Sequence, residues 1–231
     1  MPGPEPRAPD LSVVIPVHDE VANVPLVWCE LRDVLATLEA DAEVIFVDDA
    51  STDGTSDVLR DVVQSDPRVR AIRFRRHAGL TAAFHSGYAA ARGRVIVTLD
   101  GDLQNDPRDI PALLEALRDA DAAVGWRRRR YDPAFKRIAS RIANAVRRRV
   151  MGDAYRDSAC SLRAMSRCCV GALPPYDGMH RFVPVLLAMN GYRVVEVPVT
   201  HRPRRHGQRS VATTISLGYP ARGDRVLLGS G

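Results

Sequence analysis

The chain has 231 residues, 45% of them hydrophobic and 26% charged, with 33 Lys and Arg against 28 Asp and Glu. That apolar share suits one globular core and excludes a disordered, collagen-like or repeat protein. The net charge of +5 says less than its distribution: acids gather in the first hundred residues and arginines after them.

The start, Met1–Asp10, is Pro-rich and lacks the basic-then-apolar layout of a secretory signal, so we expect a loose leader on a cytosolic protein. The longest apolar stretches, around Leu11–Val17, Val44–Val47 and Val183–Met189, fall short of the ~20 residues that a membrane-spanning helix needs. Cys29, Cys160, Cys168 and Cys169 show neither metal-ligand spacing nor a dense disulfide framework. They are expected to be reduced and mostly buried.

Leu11–Val17 is a continuous apolar run stopped by His18-Asp19-Glu20, which predicts a strand buried on both faces. Val24, Val27, Trp28, Leu31, Val34, Leu35 and Leu38 then recur at helical spacing. The alternation continues with a strand at Ala42–Val47, a turn at Asp48–Gly54 and a helix at Thr55–Val63. A strand at Val69–Phe74, a helix at Gly79–Ala91 and a strand at Val95–Leu99 follow. Such alternation predicts right-handed crossovers, and so an α/β fold with a mostly parallel sheet and helices on both faces.

Later elements are less regular. Pro107–Leu117 reads as a helix with its proline in the first turn, and Ala122–Trp126 as a strand. Phe135, Ile138, Ala139, Ile142, Val146 and Val150 form an apolar stripe on a basic helix. Arg156–Met165 and Arg193–Val199 read as strands flanking a helix near Arg181–Met189; no element is predicted for Leu227–Gly231.

In parallel sheets ligands bind beyond the carboxyl ends of the strands. Asp19 and Glu20, Asp48 and Asp49, and Asp100 and Asp102 each lie just past a predicted strand, so these acids are expected in one cleft. Asp100-Gly101-Asp102 can hold a hard divalent cation, Mg2+ or Mn2+, which takes oxygen ligands and shares them with substrate phosphates. Asp53-Gly54 and Thr55 read more simply as a turn and a helix cap. Gly79 and Gly87 read as backbone requirements. Between Trp126 and Val150, ten Arg and Lys face the single acid Asp132. This stretch suits a phosphate or an anionic membrane surface, and part of it is simply a solvated face.

Three motifs in order, Val13–Glu20, Val47–Thr55 and Asp100-Gly101-Asp102-Leu103-Gln104-Asn105-Asp106-Pro107, resemble the family 2 glycosyltransferases of the GT-A fold. The last resembles their polyisoprenyl-phosphate branch, typified by dolichol-phosphate mannose synthase. The resemblance runs from about Leu11 to Gln208 and implies a single Rossmann-like domain. It divides into a nucleotide and metal half (11–106) and an acceptor half (107–208), after a leader (1–10) and before a divergent tail (209–231).

By that resemblance Pro16, Val17, Glu20, Asp48, Asp49 and Asp100 would bind the nucleotide, and Asp100, Asp102 and Gln104 would surround the metal. Arg127, Arg137, Ser140 and Arg141 would receive the acceptor phosphate. Asp102, Asp157 and Arg204 would be catalytic, with Arg205 close behind Arg204. The branch continues Gly-x-Ser-Lys where this chain has Gly207-Gln208-Arg209-Ser210. A phosphate monoester is already a dianion near neutral pH, so Asp157 could orient the acceptor rather than deprotonate it.

The implied activity is inverting, metal-dependent transfer of a sugar from a GDP- or UDP-sugar to a polyprenyl or dolichyl phosphate, at the cytoplasmic face of the membrane. Two alternatives stay open: a family 2 enzyme acting on a sugar hydroxyl, which would need a base, and a basic nucleotide- or nucleic-acid-binding domain, which leaves the converging acids unexplained.

Overall fold

A computed structural model describes residues 8–128, 155–204 and 225–228. Its strands are β1 (Leu11–Val17), β2 (Ala42–Asp48), β3 (Val69–Phe74), β4 (Val95–Thr98), β5 (Ala122–Arg127), β6 (Arg163–Ser166), β7 (Val194–Val199) and β8 (Arg225–Leu228). The helices are α1 (Val24–Leu35), α2 (Thr55–Ser65), α3 (Leu80–Ala90), α4 (Ile110–Ala116), α5 (Arg167–Val170) and α6 (Val183–Met189). Among the described residues these strands form one sheet in the order β7-β5-β6-β4-β1-β2-β3-β8.

The expected βαβ alternation is present, with β4-β1-β2-β3 parallel throughout. β6 runs antiparallel to both neighbours, and β7 returns parallel to β5. Inside the sheet the strands alternate between two cores. Val13 and Ile15 of β1 with Val44 and Phe46 of β2 pack against α1, α2 and α4. Val14, Ile45 and Val47 pack on the other side with α3 and α6. Each large aliphatic side chain so buried stabilises the fold by roughly 1.5–3 kcal/mol. Gly87 lets α3 approach β1, since a Cβ there would lie 2.2 Å from Val14 Cγ1. Gly79, at φ +89°, takes a backbone conformation that L side chains rarely adopt.

Several sequence expectations change. The predicted strand over Arg156–Met165 is confined to β6, because Asp157–Leu162 loops past the end of β4 and bonds to it: Thr98 Oγ1 donates to the Ser161 carbonyl. Arg225–Leu228, where no element was predicted, adds an antiparallel edge strand to β3. Such an edge is specified by the exposed strand beside it rather than by its own short sequence. All four cysteines are free, but only Cys160 and Cys169 are buried. The predicted basic helix over 135–150 lies outside the described residues. Among those described, no helix is long and apolar enough to cross a membrane.

Candidate active site

The loops behind β1, β2 and β4 all open at the same end of the sheet. Each carries a non-glycine residue at positive φ: Asp19 (+54°), Ala50 (+60°) and Leu103 (+63°). Strain of this kind persists only where surrounding contacts hold it, and it tends to collect at functional sites. These loops, the entry to α3 and Arg204 surround a cavity of about 210 Å3 that includes Pro16, Val17, Glu20, Asp49, Asp100 and Asp102. A larger cavity of about 480 Å3 lies beside α1. Its charged residues Glu30, Asp33, Arg108 and Arg202 are already engaged in ion pairs, so the chemistry belongs to the smaller, acid-lined cleft.

Asp100 forms the floor. One carboxylate oxygen accepts the Ser161 hydroxyl at 2.6 Å, while Oδ1 is buried and has no hydrogen-bond partner. Burial, reinforced by the charge of Asp102, pushes the Asp100 carboxyl upward against the opposing pull of Ser161 and of Arg163 and Arg127. Asp102 accepts the Gln104 amide at 3.1 Å and the Arg204 guanidinium at 2.7 Å. The other arm of Arg204 lies 3.6 Å from Glu20. Desolvation, with some help from Asp102 and Asp53, raises Glu20 to about 7 although Asn23 and Arg204 favour its charged form.

Among the described residues no three His, Cys, Asp or Glu side chains converge into a self-sufficient metal site. The donor set nonetheless fits Mg2+ or Mn2+, which bind through one or two carboxylates plus substrate phosphates. The unpartnered buried oxygen of Asp100, two residues from Asp102, is such a donor.

Asp49 lines the cleft with both oxygens held, by the amides of Ala78 at 2.7 Å and Gly79 at 2.8 Å. His77 Nδ1 lies 3.0 Å from the same carboxylate. His18 stands over this group, its Nδ1 2.8 Å from the Asp49 carbonyl and its ring 4.4 Å from that of His77. Asp53 accepts the amides of Thr55 and Val21, and Thr55 Oγ1 accepts the Glu20 amide. Those two residues therefore build the turn, as expected, and also tie it to the loop behind β1, but the helix cap falls on Gly54, with no side-chain cap hydrogen bond.

Two expected site residues are placed otherwise. Asp48 is fully buried below the cleft, with its oxygens taken by the Ser51 amide and the Ser56 hydroxyl. It shapes the turn that presents Asp49. Gln104, expected beside the metal, directs its side-chain amide to the Arg202 carbonyl at 3.5 Å. Arg127 and Asp157 are brought together as a bidentate pair, with Nε–Oδ2 at 2.6 Å and Nη2–Oδ1 at 2.9 Å. Arg137, Ser140, Arg141 and Arg205 lie outside the described residues.

Sequence reasoning did not foresee that Ser161 orients Asp100 or that His18 and His77 pair. Both histidines follow strand ends, so the rule that located the acids could have found them. Arg163, assigned no role from the sequence, is 1% exposed and donates to the carbonyls of His180 at 2.6 Å and Ser158 at 3.3 Å.

Residues 12–170 match the model of glycosyl transferase family 2. A dodecaprenyl-phosphate galacturonate synthase of Rhizobium johnstonii is 37% identical over 204 residues, covering 86% of this chain and 60% of the relative. An undecaprenyl-phosphate 4-deoxy-4-formamido-L-arabinose transferase of Aeromonas hydrophila is 34% identical over 200 residues, covering 86% and 61%. The chain thus spans about three fifths of the length of these relatives. Glucosyl-3-phosphoglycerate synthase of Mycobacterium tuberculosis, solved with Mn2+, UDP-glucose and phosphoglyceric acid, superposes with a TM-score of 0.67 at 20% identity, covering 87% of this chain and 73% of that one. The sheet thus has the GT-A arrangement, and the chain belongs to glycosyl transferase family 2.

Proposed function

We propose that this chain carries the catalytic site for inverting transfer of a sugar from a nucleotide-sugar to a polyprenyl phosphate, at the cytoplasmic membrane surface. The observation that carries the reading is the meeting of Asp100, Asp102, Glu20 and Arg204 in one cleft. The names of the two curated relatives, both acting on prenyl phosphates, support the acceptor class.

Asp49, supported by Ala78 and Gly79, faces the nucleoside, with Pro16, Val17 and Glu20 lining its surroundings. Asp100 and Asp102 would hold Mg2+ or Mn2+, which when bound neutralises the donor diphosphate and stabilises its departure. Arg204 adds a fixed positive charge beside the same phosphates. A phosphate oxygen of the acceptor attacks the anomeric carbon; the bond from that carbon to the diphosphate oxygen breaks, and the nucleoside diphosphate leaves with the electron pair. The acceptor is a dianion near neutral pH, so no proton need be removed. Asp157 accordingly orients: its grip on Arg127 sets the guanidinium to take the acceptor phosphate through parallel hydrogen bonds. Arg137, Ser140 and Arg141 would complete that acceptor site.

The test is incubation with labelled UDP- and GDP-sugars, undecaprenyl phosphate and Mn2+, followed by extraction into organic solvent. Label in the lipid phase that disappears with excess chelator supports the reading. Label transferred only to sugar hydroxyls, or full transfer in chelator, rejects it.

A further inference from the structure

The loop behind β7 is fastened along its length to the segment that follows Asp102. The Thr200 amide donates to Asp109 Oδ2 at 2.7 Å, and His201 forms an antiparallel bridge with Asn105. The Arg202 amide donates to the Gln104 carbonyl at 2.9 Å. The Arg202 guanidinium closes the arrangement, with one nitrogen 2.6 Å from Glu30 of α1 and another 2.7 Å from Asp106. Two residues on, Arg204 reaches Asp102. Arg202 itself is not among the residues lining the acid cleft.

We propose that Arg202 is a positioning residue: by bridging Glu30 and Asp106 it clamps the loop behind β7 onto the loop behind β4 and so delivers Arg204 to Asp102. This rests on the reading of the cleft as the donor site. The Asp106 side chain is only 6% exposed and that of Arg202 17%, so the pair is shielded enough for charge-assisted hydrogen bonds to hold the backbone. Burial alone would raise Asp106, but hydrogen bonds from Arg108 and Arg202 hold it down to about 2. The clamp therefore stays ionised throughout the neutral range. An arginine on a loop already ordered pays less entropy when a diphosphate arrives, and its charge is in place before bond breaking begins.

A double-mutant cycle between the two arginines tests this through the affinity for a nucleoside diphosphate with Mn2+, measured by calorimetry. Arg202→Met keeps the aliphatic stem and removes the fork. It is expected to weaken binding about tenfold, as the loss of one charge-assisted contact does. Arg204→Met should weaken it at least as much, and the double variant should bind no worse than Arg204→Met alone. Arg202→Lys should recover part of the loss, and Asp106→Asn should reproduce it in a fold that keeps Arg202. Fully additive losses would overturn the claim that Arg202 acts through Arg204.

Hydrogen exchange without ligand separates this from the reading of the site. Arg202→Met should speed exchange of the amides of Thr200, His201 and residue 202 about tenfold or more while β1 and β2 stay protected. Unchanged protection would overturn the clamp. Should the parent protein bind no nucleoside diphosphate with Mn2+, the donor-site reading fails, and the exchange result alone decides the clamp.

Discussion

The two ends of the cleft are built by different means. Behind β1 and β2 three of the acids are settled by backbone amides: Asp49 by Ala78 and Gly79, Asp53 by Val21 and Thr55, Asp19 by the Thr52 amide at 2.7 Å. Behind β5 and β7 the cations are settled by the carboxylates of other segments: Arg127 by Asp157, Arg202 by Glu30 and Asp106, Arg204 by Asp102. The side behind β1 and β2 is therefore a consequence of packed βαβ units. The basic side is an assembly of ion pairs whose geometry depends on charge. Changes in volume should damage the first, and changes in charge or pH the second.

The largest effect is expected where the two sides meet. Asp102→Ala should lower transfer to lipid about a thousandfold, by removing both a cation ligand and the partner of Arg204. The far-ultraviolet spectrum should be unchanged, and near-normal turnover would break the assignment. Next in size is Asp157→Ala, which takes away the bidentate partner of Arg127, a carboxylate only 4% exposed. A loss of about 3 kcal/mol in urea unfolding is expected, with Asp157→Asn milder.

Where the loop behind β4 packs on β1, Gly101→Ala sharpens the contrast. The added Cβ would stand 2.5 Å from Val17 Cγ1 and 3.2 Å from the Pro16 carbonyl oxygen. The overpacking should cost about 2 kcal/mol in the same measurement at any pH. Wild-type stability would show that β1 and the Asp100 loop are not packed as described.

The smallest effect concerns Glu20. Its carboxyl is raised to about 7 from an ordinary 4.5, so between those values the folded protein holds a proton that the unfolded chain has released. This group therefore makes stability fall as pH rises from 4.5 to 7, with no further change above. Glu20→Gln should flatten that slope and gain about 1 kcal/mol at pH 8, the lost contact to Arg204 taking back part of the relief. An unchanged slope in thermal unfolding from pH 4.5 to 8 would remove Glu20 from the account.

Much of this was legible in the residue order. β1 and β2 are built mainly of Val, Ile and Phe with every residue buried, and their lengths need no tertiary information. The acids at their ends follow from the rule that parallel strands present ligands at one edge. Asp48 and Asp49 show where that rule stops. Adjacent carboxylates point to opposite faces, and which one enters the cleft depends on Ser51, Ser56 and the amides before α3. Gln104 shows the same limit, because a side chain in a tight loop goes to the nearest unsatisfied group, here the carbonyl of Arg202 nearly a hundred positions away.

Hydrophobic period and turn residues thus determined by themselves the alternating strands and helices and the edge at which chemistry collects, since those signals are local and repeat every few residues. Tertiary structure alone decided that Ser161 turns Asp100, that Arg127 embraces Asp157, that Arg202 fastens the loop bearing Arg204 and that Arg225–Leu228 closes an edge of the sheet. These are contacts between charged or polar groups tens of residues apart. Coulomb attraction and hydrogen bonding act over a few ångströms of space and carry no period along the chain, so only the folded backbone selects the partners.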